Sequence, residues 1–391
     1  MKNPEPFSFT EIEEVDLLIV AGEASGDEHA SLLAKDLLER EPGLSIAALG
    51  GPGLEAQGAS LIYNLVDHSV VGIFEVLKNY GFFKSLFRQT LDWIEEKRPK
   101  AVLLVDYPGF NLRLATALKE KGLSVKGGGA IKVLQYVSPQ LWAWKPKRRF
   151  LMEKVLDGLA VLFPFELDCY RDVDLPVSFV GHPFARPDYL SPISYEASGP
   201  VALLPGSRVQ PVQRILPCFL DAFDIMLRRF PDIHGVIPVP DSKIRAVVEE
   251  LLANRSESRD RLSVQDCQSR FEARAALMSS GTMSLACAIA GIPGAVAYRA
   301  HPLTYLLGRF LVKVPYLGMA NLLLPEKPPY EEFLQGEANG RRLASAMAPF
   351  LEAEGSRDQF EESASLLSES LAQPGSCGLA DWLIKEGCLL D

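Results

Sequence analysis

The chain alternates between short, uninterrupted apolar runs and longer segments in which apolar residues recur every three or four positions. "VDLLIV" (15–20) is of the first kind, and it leads through "AGEASGDEHA" into "SLLAKDLLER", whose spacing predicts a helix. "LSIAALGG" predicts a second strand. "KAVLLVDYPGF" predicts a strand ending in an acidic turn, with "LRLATALKEKG" as its helix. "AIKVLQYVSP", "GLAVLFPFE" and "VSFVGHPF" continue the series, and the polar connector "SPISYEASG" (191–199) ends it. A second series then begins. "PVALLPGSR" reads as strand and turn, and "PVQRILPCFLDAFDIMLRRF" (211–230) as mostly helix after Pro211, with a kink or break near Pro217. "IHGVIPVP", "KIRAVVEELLANR" and "GAVAY" read as strand, helix and strand, and "DQFEESASLLSESLAQ" and "GLADWLIKEG" as helices. Apolar strands alternating with helices imply parallel sheets covered on both faces. The expected fold class is therefore α/β, with two doubly wound parallel-sheet domains over residues 1–190 and 191–350, followed by helices over 351–391. Open sheets of this kind bind ligands at the C-terminal ends of their strands, and two of them suggest a cleft.

Composition narrows the function. A length of 391 residues suits two domains, and 48% hydrophobic residues is enough to give each a core. A net charge of −10 excludes general nucleic-acid binding. The six cysteines form no CxxC pair and no cluster with histidine, so neither a disulfide framework nor a zinc site is expected, and a reducing compartment fits. "MKNPEPFSFTEIEE" lacks the apolar run of a signal peptide, and no apolar stretch is long enough to span a bilayer. The expectation is a cytoplasmic protein that can lie on a membrane surface.

Several turns carry candidate chemistry. Glu23 and Asp27 flank glycines at the first strand-to-helix turn; they can orient sugar hydroxyls, while Asp27 can equally cap a helix. Asp106 stands just past an apolar strand, where a carboxylate can act as general base, or simply form an Asx turn before Pro108. Trp142 and Trp144 offer stacking faces beside Lys145, Lys147, Arg148 and Arg149, a dense cationic group in an acidic protein that favours an anionic ligand. "LLPGSR" places Gly206, Ser207 and Arg208 before a helix, and "SSGT" places Ser280, Gly281 and Thr282 before another. Two such turns in one α/β lobe suit a nucleotide diphosphate. Residues 70–93 are apolar around much of a helix, with Ile73, Phe74, Leu77, Phe82, Phe83 and Leu86 as a surface for lipid or an acyl chain; the alternative is an ordinary core helix. His182, alone before a proline, reads as structural.

In this order, "AGEASGD", "VGIFEVL", "DYPGFN", "YVSPQLWAWKPKR", "FPFE", "FVGHP", "LLPGSR", "SSGT", "NLL" and "EFLQ" resemble the lipid-A-disaccharide synthase family from residue 21 to about 335. The resemblance implies a GT-B fold, two Rossmann-like lobes with C-terminal helices returning to the first. It implies an inverting glycosyltransferase that joins UDP-2,3-diacylglucosamine to 2,3-diacylglucosamine 1-phosphate through a β-1,6 linkage and releases UDP. No cofactor and no metal are implied. The partners implied are the UDP-sugar donor, the acylated glucosamine phosphate acceptor and lipids at the cytoplasmic face of the inner membrane, and a homodimer is compatible. By motif, Asp106 is the base with Glu23 as its competitor, and Arg208, Asn321 and Gln335 belong to the donor lobe. Asp27, Trp142, Trp144, Lys145 and Arg148 fall to the acceptor and its lipid. The chain departs from the family at Arg186, Pro211 and Ala286, where carboxylates are usual, and at "MANLL" in place of "LPNLL". These departures lie in or next to the donor lobe. They leave a transferase with a changed donor, or a non-catalytic lipid-binding relative, as alternatives.

Overall fold

The structure is a computed structural model that describes residues 7, 14–68, 80–253, 255, 258–267, 270–301, 305, 314–352, 357–372 and 378–390. The chain divides into two compact units, residues 1–183 with 373–391, and residues 184–372.

The first unit is built on seven parallel strands: β1 (Leu17–Ala21), β2 (Ile46–Gly50), β3 (Ser60–Asn64), β4 (Ala101–Val105), β5 (Lys132–Tyr136), β6 (Gly158–Val161) and β7 (Val177–Phe179). Their order is β3-β2-β1-β4-β5-β6-β7. Every residue of β1, β2 and β4 is buried, as their unbroken apolar runs require of central strands. The helices are α1 (Ala24–Arg40), α2 (Pro52–Ala56), α3 (Tyr80–Lys97), α4 (Pro108–Glu120) and α5 (Arg149–Val155). Phe82 and Leu86, expected at a lipid surface, instead lie at 4% and 0% exposure in the core of this unit, with Phe83 packed against it. The apolar face of α3 is taken up by the core of this unit, so the core-helix reading holds for this stretch. Ile73, Phe74 and Leu77 lie outside the described residues.

The second unit has six parallel strands in the order β11-β10-β9-β13-β14-β15 and a two-stranded parallel sheet, β12-β8. The strands are β8 (Ile193–Tyr195), β9 (Val201–Leu204), β10 (Gly235–Val239), β11 (Leu262–Asp266), β12 (Phe271–Ala273), β13 (Ala275–Ser279), β14 (Gly294–Tyr298) and β15 (Glu331–Leu334). Its helices are α6 (Val209–Arg229), α7 (Ser242–Ala253), α8 (Thr282–Ile289), α9 (Met319–Leu323), α10 (Gly340–Glu352) and α11 (Asp358–Leu371). α6 runs through Pro217 as one helix, so of the kink or break expected there the break does not occur. The Val212, Ile215, Leu216, Phe219, Leu220 and Phe223 side chains are all buried, and this packing outweighs the one hydrogen bond that proline removes.

Of the expected terminal helices, α11 packs on α8 in the second unit. The last helix, α12 (Leu379–Gly387), packs on β5, β6 and α1 in the first. Among the described residues no helix is long and apolar enough to cross a membrane.

Candidate active site

In each unit the order in which successive strands are added reverses between two central parallel strands, β1 and β4 in the first, β9 and β13 in the second. Ligands of open α/β sheets sit outside the strand ends at such a switch point. The turns that carry candidate chemistry emerge there.

In the first unit Ala21 pairs with Val105, so the turns after β1 and β4 leave the sheet side by side. Glu23 is the N-cap residue of α1, half-buried, and its side chain does not cap the helix. Asp106 and Tyr107 follow β4 with φ of 47° and 44°, two successive left-handed residues that are not glycine. Such a conformation costs about 1–3 kcal/mol per residue and persists only where the surroundings impose it. Three contacts impose it here. The Asp106 N–H donates to the Tyr136 carbonyl at 3.0 Å. The Asn111 side-chain amide donates to the carbonyls of Val105 (3.2 Å) and Asp106 (2.8 Å). The Tyr107 ring lies against Gly22 so closely that a Cβ there would stand 2.4 Å from it. Burial, and next the Glu23 charge, push the Tyr107 hydroxyl above its usual pKa. Glu23 and Asp106 are thus carried by two turns that interlock.

Asp27 has a different task. It is 6% exposed, and its carboxylate accepts the N–H groups of Gly51 (2.7 Å), Gly53 (2.8 Å) and Leu54 (3.3 Å). It therefore holds the start of α2 rather than facing a ligand, a use closer to the capping alternative than to acceptor contact.

The tryptophans divide. Trp142 is half-buried and stands edge-on to Phe165, with ring centroids 5.7 Å apart. From there a continuous row of rings runs through Phe163, His182 and His29 to Tyr136, each step between 5.4 and 6.1 Å. Both histidines are held far below their usual pKa by burial, His29 at about 4 and His182 at about 3, so both are neutral. His29 Nδ1 is buried without a hydrogen-bond partner among the described residues. Beside the row, Glu166 is 3% exposed and accepts the N–H groups of Leu162 (3.2 Å) and Phe163 (3.1 Å). Burial pushes its carboxyl up to about 8. Trp142 Nε1 is buried beside this carboxyl without reaching hydrogen-bond geometry. Trp144 faces outward at 40% exposure, with Lys145 Nζ 4.4 Å and the Arg148 guanidinium 5.2 Å from its ring centroid. Of the four cations expected to meet an anion, Arg149 is engaged by Asp172 in a bidentate pair at 2.6 and 2.5 Å.

In the second unit the "PGSR" and "SSGT" turns follow the paired strands β9 and β13. Gly206 has φ 106°, open to glycine, and a Cβ on it would approach Ser279 Oγ at 3.2 Å, so the two turns lie against each other. Arg208 is the N-cap residue of α6 and Gly281 that of α8, and neither makes a side-chain cap bond to its own helix. Ser207, Arg208, Gly281 and Thr282 are exposed and Ser280 is half-buried. Two helix N-termini and one guanidinium are the kind of groups that can receive an anion. Pro211 falls in the first turn of α6, where no N–H is needed. Arg186 forks onto Asp188 at 2.9 and 3.1 Å, so a carboxylate stands two residues from the position where one was expected. Ala286 is 1% exposed.

Asn321 and Gln335 serve the scaffold. Asn321 is fully buried; it donates to the Tyr330 carbonyl (2.8 Å) and Glu332 (2.9 Å) and accepts the Tyr330 N–H (3.0 Å). Gln335, left-handed at φ 52°, ties the end of β15 to the end of β14 by accepting from Arg299 and from the Ala300 N–H. Among the described residues no group of three or more His, Cys, Asp or Glu side chains is placed to hold a metal.

Known proteins match this chain nearly end to end. The family described as lipid-A-disaccharide synthetase (LpxB) matches residues 17–386. Lipid-A-disaccharide synthase 1 of Legionella pneumophila (strain Lens) is 32% identical over 380 residues, covering 95% of this chain and 97% of its own. Lipid-A-disaccharide synthase of Geobacter metallireducens is 34% identical over 349 residues, covering 86% and 88%. Among solved structures, the glycotransferase of kitacinnamycin superposes over 98% of this chain and 100% of its own, with a TM-score of 0.61 and 14% identity. UDP-GlcNAc 2-epimerase from Neisseria meningitidis does so over 96% and 100%, with a TM-score of 0.56 and 12% identity. These two share the fold, the GT-B arrangement of two parallel sheets. The chain belongs to the lipid-A-disaccharide synthetase (LpxB) family, the glycosyltransferases of lipid A biosynthesis.

Proposed function

We propose that the chain transfers 2,3-diacylglucosamine from its UDP donor to the 6-hydroxyl of 2,3-diacylglucosamine 1-phosphate, with inversion at the donor anomeric carbon. The Asp106 carboxylate takes the proton of the attacking hydroxyl as the new C–O bond forms, and the bond to the diphosphate breaks to release UDP. Glu23 orients the acceptor beside it. Arg208 and the open helix starts at residues 208 and 281 receive the charge that develops on the leaving diphosphate, where fixed donors act most strongly. Exposed Trp144, Phe150 and Leu151, with Lys145 and Arg148 stacked on the indole, form the contact to acidic lipid at the cytoplasmic face of the inner membrane.

The observation that carries this reading is the strained Asp106–Tyr107 turn at the switch point, beside Glu23. Strain kept at a strand end points to a catalytic carboxylate. The test is UDP release from both acylated substrates by the wild type and by Asp106→Ala. The expected loss is about 10²–10⁴-fold, the usual worth of a general base. Equal turnover by the two proteins overturns the assignment.

A further inference from the structure

The structure assigns a positioning role to Asn111: its side-chain amide fixes the left-handed Asp106 turn, and with it the aim of the carboxylate. This inference rests on Asp106 being the base.

Asn111 lies one turn into α4, fully buried. Both acceptors of its amide are main-chain carbonyls, those of Val105 and Asp106, which requires the NH₂ end to face them. These two carbonyls flank the bend where β4 gives way to φ 47° at Asp106. The Asn111 N–H also donates to the Tyr107 carbonyl at 3.1 Å, so one residue gathers the carbonyls of 105, 106 and 107. The price is visible at the other end of the side chain, where Oδ1 is buried without a partner among the described residues. If the site needed only filling, a leucine of similar volume would do so without that penalty. An amide is needed because a turn of two left-handed residues turns its carbonyls away from the strand ladder and leaves them to be satisfied from the side.

The arrangement also explains why Tyr107 closes on Gly22. With the turn held by Asn111, the Tyr107 ring packs over Gly22, a residue with no Cβ to obstruct it. Asp106 and Glu23 therefore keep a fixed relation across the two turns.

The experiment compares wild type, Asn111→Ala, Asn111→Asp, Asp106→Ala and the double variant Asn111→Ala/Asp106→Ala. Each is assayed for kcat and KM with both acylated substrates, and each is melted to confirm folding. Asn111→Ala is expected to lose roughly 10- to 100-fold in kcat with little change in donor KM, since a misplacement of about 1 Å costs about 100-fold. The double variant is expected to be no slower than Asp106→Ala, because both act on one group. Asn111→Asp presents an acceptor to carbonyls when ionised and a donor when protonated, so its activity relative to wild type should rise as the pH falls. A packing role alone would not produce that profile. Unchanged kcat in Asn111→Ala, or losses that multiply in the double variant, overturns the proposal. If Asp106→Ala stays active, the base assignment fails by itself. Hydrogen exchange at the Asp106 N–H then decides for Asn111: faster exchange in Asn111→Ala supports the holding role, and unchanged exchange overturns it.

Discussion

Single residues set the pH response of the first unit. His29 and His182 are neutral in the fold, with pKa values of about 4 and about 3 against 6.5 when unfolded. Below pH 6.5 the unfolded chain takes up protons that the folded chain refuses, so stability falls as pH falls, by roughly 2 kcal/mol per imidazole at pH 5. Glu166 works in the opposite direction. Its carboxyl titrates at about 8 against 4.5, so its contribution is complete below pH 4.5 and is lost as pH rises toward 8. The two effects oppose each other between pH 5 and 7. Glu166→Gln removes one side of this balance. Urea midpoints measured from pH 5 to 8 should fall more steeply toward acid in that variant than in the wild type, and parallel curves would contradict the assignment. His182 was legible as structural, whereas the burial of His29 and Glu166 does not declare itself in the sequence. His29 sits in a polar stretch, and its burial follows from ring contacts with residues more than a hundred positions away. Asp27 was visible as a carboxylate, but its partners, Gly51, Gly53 and Leu54, belong to another helix.

At the scale of elements, the periodicity was sufficient where one force dominates. The central strands and the helices after them follow from apolar runs and 3.6-residue spacing, and the "PGSR" and "SSGT" turns were legible as glycine and serine at helix starts. Pro217 was not, because its local penalty had to be weighed against a whole buried helix face. The same weighing governs α8. Ala286 is one turn past the open N-terminus, at a position where the resemblance implies a carboxylate that holds ribose, and its Cβ is buried. UDP titrations should show Ala286→Glu tightening binding by about 1–3 kcal/mol, the worth of hydrogen bonds to a charged group. Arg208→Ala should weaken it by a similar amount in the same titration. Failure of Ala286→Glu to tighten UDP, with an unchanged melting temperature, would show that the buried Cβ does not lead to the ribose.

The whole molecule shows a division of chemistry that the linear order only partly discloses. The turns with carboxylates belong to one compact unit and the turns with open helix starts to the other. The polar stretch 191–199 was read as the connector, but the two units divide between residues 183 and 184, and that stretch carries β8 of the second unit. The return of residues 379–389 to the first unit was implied by the resemblance alone, because an amphipathic helix does not name the sheet it covers. Ala380, Trp382, Leu383 and Leu389 are buried in the same cluster as Leu17, Leu134 and Tyr136. A buried edge for α12 is prepared as far away as Gly158, where a Cβ would meet the Trp382 ring at 3.4 Å.

That helix has a consequence for the order in which the protein is made. A ribosome delivers residues 14–183 first, yet the β5–β6 face they form lacks its cover until α12 emerges. Residues 184–372 are contiguous and can close their own core while the earlier segment waits. The apolar face is thus exposed for the time needed to synthesise almost two hundred residues, about 10–40 seconds at common rates. Chains arrested on the ribosome with residue 372 just outside the exit should, under brief proteolysis, yield a resistant 184–372 fragment and a digested N-terminal segment. Extension past residue 390 should protect both. Equal resistance at both lengths would mean that the first unit closes without its final helix.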